Sequence, residues 1–269
     1  MSKGTLDLTR YYRPHALQEA VHRSEAPVKV LEWGRRTGKS RCALWELVRV
    51  YLRSLEQPVQ ESQVPPFHAW VVAPSFPQSR QVWTELLAFL PGEFIADGGV
   101  HQEDRMVYLR GSEARPWGLV EVKSSFDPDT LQTAGLDFLW ITEAQDVKDA
   151  AFQRLLPTLR SHGRMRRALY EGIPALWAEH WFWKMCEVAQ RDGGPGYFYS
   201  HATAYESPLL NAADQAAIES DKEVMPEAVW RRMYLAERSE EAGYFRGVGD
   251  CVGGDILSQP VPGTRYVAG

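Results

Sequence analysis

The chain has 269 residues, 44% of them hydrophobic, with 30 Lys and Arg against 35 Asp and Glu for a formal net charge of −5. That length and apolar content suit one large α/β domain with a small appendage, while the negative balance excludes a free-standing protein that coats nucleic acid through many cations. Cys42, Cys186 and Cys251 are far apart and form no C-x-x-C pair, so neither a disulfide framework nor a zinc site is supported.

No apolar run approaches the roughly 18 residues of a membrane span, and the start MSKGTLDLTRYYR lacks the apolar stretch of a signal peptide. A cytoplasmic location without membrane contact is expected.

The segment VKVLEW, residues 28–33, is short, apolar and β-branched, and reads as a strand. After it KSRCALWELVRVYLR places Ala43, Leu44, Leu47, Val48 and Tyr51 at helical spacing. Between them lies GRRTGKS, in which Gly38, Lys39 and Ser40 complete the pattern G-x-x-x-x-G-K-[ST], although Trp33 holds the place of its first glycine. Gly34 is expected to take over the tight turn, with the Trp33 indole at the entrance.

A strand that hands a glycine-containing turn to a helix N-terminus aims free amides and the positive end of the helix dipole at phosphate oxygens. Lys39 is therefore assigned to the β- and γ-phosphates of ATP, Ser40 to magnesium, and the backbone of Gly34, Arg35, Arg36, Thr37 and Gly38 to the phosphate cradle. Arg35 and Arg36 each stand where a guanidinium can stabilise charge on the γ-phosphate from within the same subunit, or pair on the surface.

Four further apolar runs, FHAWVVA at 67–73, LDFLWIT at 136–142, RALYEGI at 167–173 and YFYSHAT at 197–203, alternate with helical stretches. The alternation predicts a mainly parallel sheet covered on both faces, and residues 105–124 read as an inserted hairpin. LDFLWITEAQD is a buried strand that ends in a carboxylate, which makes Glu143 the candidate to orient the attacking water. Thr142 stands before it, where such strands carry an aspartate for magnesium; a hydroxyl adds no charge, so metal affinity should fall unless Asp146 or another carboxylate compensates.

After about residue 205 the chain becomes helical with exposed charge, then Gly/Pro-rich. Residues 1–205 are read as the ATPase core and 206–269 as a helical lid and linker.

Taken in order, these segments resemble the ATPase domain of the large terminase subunit, the DNA-packaging motor of tailed phages. YYRPHALQEAVHRS is similar to the family's adenine-recognition segment, which implies that Gln18 reads the base edge and that Tyr12 or Arg13 flanks the ring. GRRTGKS resembles the family's Walker A variant, with Arg35 at the characteristic arginine, and SSFDPDTLQTAGLDFLWITEA resembles the stretch from the trans-acting arginine to Walker B. YEGIP followed by HWFW is similar to the motif that couples hydrolysis to movement, and AxxYESP with WRRMYLAE to the lid. Where the family has L-R-G, this chain has Leu131, Gln132 and Thr133, and RSHGRMRR offers Arg160, Arg164, Arg166 and Arg167 as a replacement finger, a DNA contact or a solvated loop.

The resemblance implies an α/β P-loop NTPase of the additional-strand type with a small C-terminal lid, using ATP and Mg2+. It further implies coupling of hydrolysis to translocation of double-stranded DNA, with a homo-oligomeric ring on the capsid portal, a small terminase subunit as partner, and the host cytoplasm as the location. PVPGTRYVAG resembles the run into a downstream nuclease whose aspartates would follow, so no nuclease activity is expected of this chain. The alternatives are a nucleotide-binding assembly module with little hydrolysis and a helicase-like or transposition-associated ATPase.

Overall fold

Strand β1 (Val28–Trp33) shows how the fold is laid down. Successive residues point to opposite faces, so Lys29, Leu31 and Trp33 face helix α2 (Lys39–Leu55), while Val30 and Glu32 face α5 (Trp181–Asp192). The same period in β6 (Phe138–Ile141) and β7 (Arg167–Gly172) sends Phe138, Trp140 and Leu169 to the α2 side and Leu139, Ile141 and Tyr170 to the other. Both faces are apolar, which is why these strands read as continuous runs.

The computed structural model describes residues 11–56, 65–112, 115–131, 135–192 and 196–239. Its remaining strands are β2 (Phe67–Ala73), β3 (Ile95–His101), β4 (Met106–Arg110), β5 (Trp117–Ser124) and β8 (Tyr197–Ala202). They form a sheet of order β3-β4-β5-β2-β6-β7-β1-β8. Every pairing from β5 to β8 is parallel, and β3 and β4 add antiparallel at the edge.

Helices α1 (Ala16–Arg23), α2 and α3 (Phe76–Phe89) pack on one face, while α4 (Asp149–Leu155) and α5 pack on the other. A third, smaller cluster joins Ala204 to Ile218 of α6 (Ala212–Ser220) and to Trp230 and Tyr234 of α7 (Glu227–Tyr234). Strand β7 lies between the phosphate-loop strand β1 and the Glu143 strand β6, which is the additional-strand arrangement expected of the fold class.

The segment read as an inserted hairpin is part of the sheet itself. β4 and β5 do pair antiparallel, but β5 also pairs in parallel with β2 over Phe67–Ala73. Strand β3, with two glycines and an aspartate in seven residues, has no strand signal of its own and is held by β4 at the edge. Gln132, Thr133 and the C-terminal Gly/Pro-rich run lie outside the described residues. Among the described residues no helix is long and apolar enough to cross a membrane.

Candidate nucleotide-binding site

The loop between β1 and α2 bends through two left-handed residues, Arg36 (φ 62°) and Gly38 (φ 77°). Gly34 is not among them. It is required for a different reason: a Cβ there would lie 2.5 Å from the Tyr234 carbonyl oxygen and 3.0 Å from the Ala204 amide. The loop thus passes directly against the α7 end and the β8 exit. Backbone bonds seal that contact, with Gly34 N donating to Ala202 O and Arg35 N to Met233 O, both at 2.8 Å.

Trp33 does not stand at the entrance. Its indole is fully buried on the α2 face and its Nε1 donates to Ser200 Oγ on β8 at 2.9 Å, so the missing glycine leaves the mouth of the loop clear. Thr37 is buried and donates from Oγ1 to Gly34 O at 2.9 Å, while Arg35 and Arg36 are exposed. Lys39 opens α2, buried, and its charge acts on the carboxyl of Glu171.

Helix α1 is strapped to this loop. His15 Nε2 lies 3.0 Å from Thr37 O, Gln18 Nε2 donates to Gly38 O at 3.0 Å, and Gln18 Oε1 accepts from His15 N at 3.1 Å. The Gln18 amide is therefore engaged at both ends and ties α1 to the loop. A cleft of about 450 Å³ opens beside it, lined by Tyr12, Arg13, Gln18, Arg41 and Leu209 among others. Arg13 is exposed there, whereas the Tyr12 ring is largely built into the core, edge-on to His22 and Phe89 with its hydroxyl 3.0 Å from His22 Nε2.

At the end of β6, Glu143 sits in the left-handed region (φ 46°, ψ 50°), a conformation that costs a β-substituted residue about 1–2 kcal/mol and marks a constrained position. Its carboxylate accepts from Gln145 Nε2 at 2.8 Å, and the same amide reaches Asp146 Oδ2 at 2.9 Å. Gln145 Oε1 in turn accepts from Ile173 N beyond β7 at 3.2 Å. Burial and the neighbouring Glu143 charge raise the Asp146 pKa.

Thr142 and Glu171 lie side by side on the α2 face, one step beyond the Ile141–Tyr170 pair. Thr142 Oγ1 donates to Glu171 Oε1 at 2.6 Å, and Ser40 Oγ donates to the same oxygen at 3.2 Å. Glu171 is fully buried and its Oε2 has no hydrogen-bond partner. Burial pushes its carboxyl up to about 7, with Lys39 opposing and Glu143 adding to the rise. A buried carboxylate oxygen with no protein donor, beside a hydroxyl at a phosphate loop, suits a hard cation such as magnesium, which takes oxygen ligands.

Glu171 was not a candidate from sequence. The available signal was a lone acidic residue in an otherwise apolar strand, RALYEGI, at the parity that faces α2. Arg164 and Arg167, by contrast, are structural: Arg164 NH1 donates to Asp137 Oδ2 at 2.8 Å, and Arg167 NH1 to Glu25 O at 2.9 Å. Both lie at the strand starts, the end of the sheet opposite the phosphate loop.

A lysine-bearing loop between a parallel strand and a helix, with a carboxylate closing the strand two places away, defines a P-loop nucleotide-binding fold of the additional-strand type. Within that class the likeness is to large terminases. The large terminase subunit of Thermus virus P23-45 is 29% identical over 163 residues, spanning 55% of this chain and 31% of that protein. The ATPase domain of the Thermus phage P74-26 large terminase superposes with a TM-score of 0.68 at 21% identity, over 85% of this chain and 95% of that domain. The large terminase of a thermophilic bacteriophage, in complex with ATP-γ-S, gives 0.58 at 13% identity, over 86% of this chain and 50% of that one. This chain has the fold of the large terminase ATPase domain and spans about a third of the length of the curated relatives it matches. No family model matches it.

Proposed function

We propose that this chain is the ATPase motor portion of a viral large terminase, coupling Mg-ATP hydrolysis to translocation of double-stranded DNA into a procapsid. The observation that carries the reading is the placement of Glu143 at the end of β6, with β7 alone between that strand and the phosphate-loop strand β1. The sequence relationship to large terminase subunits and the ATP-γ-S bound to the thermophilic bacteriophage protein support it.

In this reading the amides of Arg36, Thr37 and Gly38 and the buried Lys39 hold the β- and γ-phosphates at the N-terminus of α2, whereas the Gly34 and Arg35 amides, also expected in the cradle, are engaged by Ala202 O and Met233 O. Magnesium, when bound, neutralises charge on those oxygens; Ser40 ligates it, keeping a lone pair free because its proton is donated to Glu171. Glu143 orients the attacking water, and Arg35, exposed on the loop, stabilises the charge that gathers on the γ-phosphate. Gln18, Arg13 and the edge of Tyr12 form the base side of the cleft. A homo-oligomeric ring, the portal and a small terminase subunit complete the motor.

Single-turnover ATP hydrolysis, set beside calorimetric binding of a non-hydrolysable ATP analogue, tests the reading. Wild-type chain should bind and hydrolyse, and Lys39→Ala should abolish both. Unchanged hydrolysis in Lys39→Ala removes the site assignment, and binding without turnover in the wild type points instead to an assembly module.

A further inference from the structure

In a phosphate loop of this class the Ser hydroxyl and a carboxylate at the end of a neighbouring strand share the work of holding magnesium. β6 ends in Thr142, which has no charge to give. The carboxylate closest to Ser40 is on the next strand: Glu171 Oε1 lies 3.2 Å from Ser40 Oγ and 2.6 Å from Thr142 Oγ1. We propose that Glu171 of β7 supplies the negative charge that holds magnesium over Ser40, and that Thr142 is a positioning residue that pins the Glu171 carboxylate. This rests on the reading of the site as one for Mg-ATP.

Three features of the geometry support the exchange. Parallel pairing sets Thr142 beside Glu171, so a charge moved from β6 to β7 stays on the same face of the sheet and comes one strand nearer to β1 and its loop. Glutamate, one methylene longer than aspartate, reaches Ser40 from that position. Both hydroxyls donate to the same oxygen, Oε1. That leaves Ser40 with lone pairs for a cation and Glu171 with Oε2, which is fully buried and without a partner in the protein.

A purely structural glutamate would be built differently. The other buried carboxylates among the described residues have donors on both oxygens: Glu32 of β1 from Arg238 and Tyr199, Glu46 of α2 from His22, Arg49 and Lys29, and Asp137 from Arg115, Arg164, His68 and Met165. Asp146 was the compensating carboxylate suggested by sequence. It is held by the Gln145 amide together with Glu143, while Ser40 donates to Glu171.

The test is calorimetric titration of the full chain with the β,γ-imido analogue of ATP, in EDTA and across a series of magnesium chloride concentrations. Glu171→Gln keeps the shape and an acceptor for both hydroxyls but removes the charge. It should raise the magnesium concentration at half-effect by about 10- to 100-fold, the usual cost of losing a group that supports a metal ligand, while affinity in EDTA is retained or improved. Thr142→Asp combined with Glu171→Gln should return the midpoint toward wild type by restoring the charge on β6. Thr142→Val, close to threonine in shape, should give a smaller rise in the same direction even if Glu171→Gln fails to fold.

A wild-type magnesium midpoint in Glu171→Gln, or an equal loss of affinity with and without magnesium, overturns the proposal and leaves the nucleotide site standing. An unchanged midpoint in Thr142→Val overturns the positioning role. Absence of analogue binding by the wild-type chain under both conditions overturns the Mg-ATP reading and this proposal with it.

Discussion

Buried charge is treated in opposite ways at the strand starts and around the phosphate loop. At the strand starts, Asp137 is fully buried and saturated, accepting from the Arg115 and Arg164 guanidinium groups and from the amides of His68 and Met165. Nearby, Glu46 is bonded by Lys29, His22 and Arg49, with Lys29 also donating to Val21 O. At the strand exits Glu32, on the α5 face, is likewise closed off by Arg238 and Tyr199, but beside the phosphate loop the bonding is incomplete: Glu171 keeps an unpartnered oxygen, and Glu143 stands in a left-handed conformation beside a second carboxyl. Charges that hold a fold together are closed off by their neighbours, whereas charges kept for a ligand are left partly open.

That contrast is broken most sharply by substitutions that should separate turnover from stability. Glu143→Gln removes the water-orienting carboxylate but keeps the left-handed residue and the bond with Gln145. ATP turnover should fall by about 10² to 10⁴, the range for loss of a general base, with analogue affinity and thermal midpoint close to wild type. A loss of binding with turnover per bound nucleotide intact would assign Glu143 elsewhere.

At the other end, Asp137→Ala should do the reverse. It leaves the fully buried Arg115 without its Asp137 partner, and breaking a buried pair in this way costs about 3–5 kcal/mol. Urea denaturation should show that loss, while the remaining folded fraction binds nucleotide with wild-type affinity.

Acid sharpens the same comparison. Burial raises the Glu46 pKa, but the hydrogen bond from His22 and the charges of Lys29 and Arg49 outweigh it and hold the carboxyl down at about 2. An unfolded chain protonates this residue near 4.5, so between pH 4.5 and 2 the unfolded state binds the extra proton and stability falls as pH falls. The shift is worth on the order of 3 kcal/mol, fully present above about pH 4.5. Burial also lowers the His22 pKa, which adds loss below its ordinary value of 6.5 in the same direction. Urea melts from about pH 7 to 3 should show this decline, and Glu46→Gln should flatten the portion below about pH 4.5.

Much of this architecture was legible in the chain. VKVLEW, the GKS turn and the apolar spacing through Tyr51 mark strand, loop and helix because the hydrophobic period changes from about 2 to about 3.6 across one glycine. LDFLWITE marks a buried strand ending in acid by the same logic. What stayed hidden depends on neighbours distant in sequence. Gly34 is glycine because the Tyr234 carbonyl, far along the chain, passes over it, and Trp33 is harmless because β8 offers Ser200 to its indole. β3 has no pattern because only its partner strand makes it one. Glu171 was obscured because its role depends on which strand lies beside β6, and that order is a property of the assembled sheet.

The smallest of these effects concerns Gln145, the link between the two acidic strand ends. Its amide nitrogen donates to Glu143, and its oxygen accepts from Ile173 N, just past Glu171 on β7. Gly172 is kept side-chain-free by the same residue, since a Cβ there would meet Gln145 Oε1 at 2.2 Å. Gln145→Leu removes these two bonds and the one to Asp146 and should lower turnover about tenfold, the equivalent of roughly 1.4 kcal/mol, with little change in analogue affinity. Gln145→Glu separates the two: it retains an acceptor for Ile173 N but removes the donor to Glu143. If the donor sets the Glu143 carboxylate, both variants slow turnover; if the bond to β7 is what matters, Gln145→Glu turns over like wild type and the orienting role passes from the amide nitrogen to the strand itself.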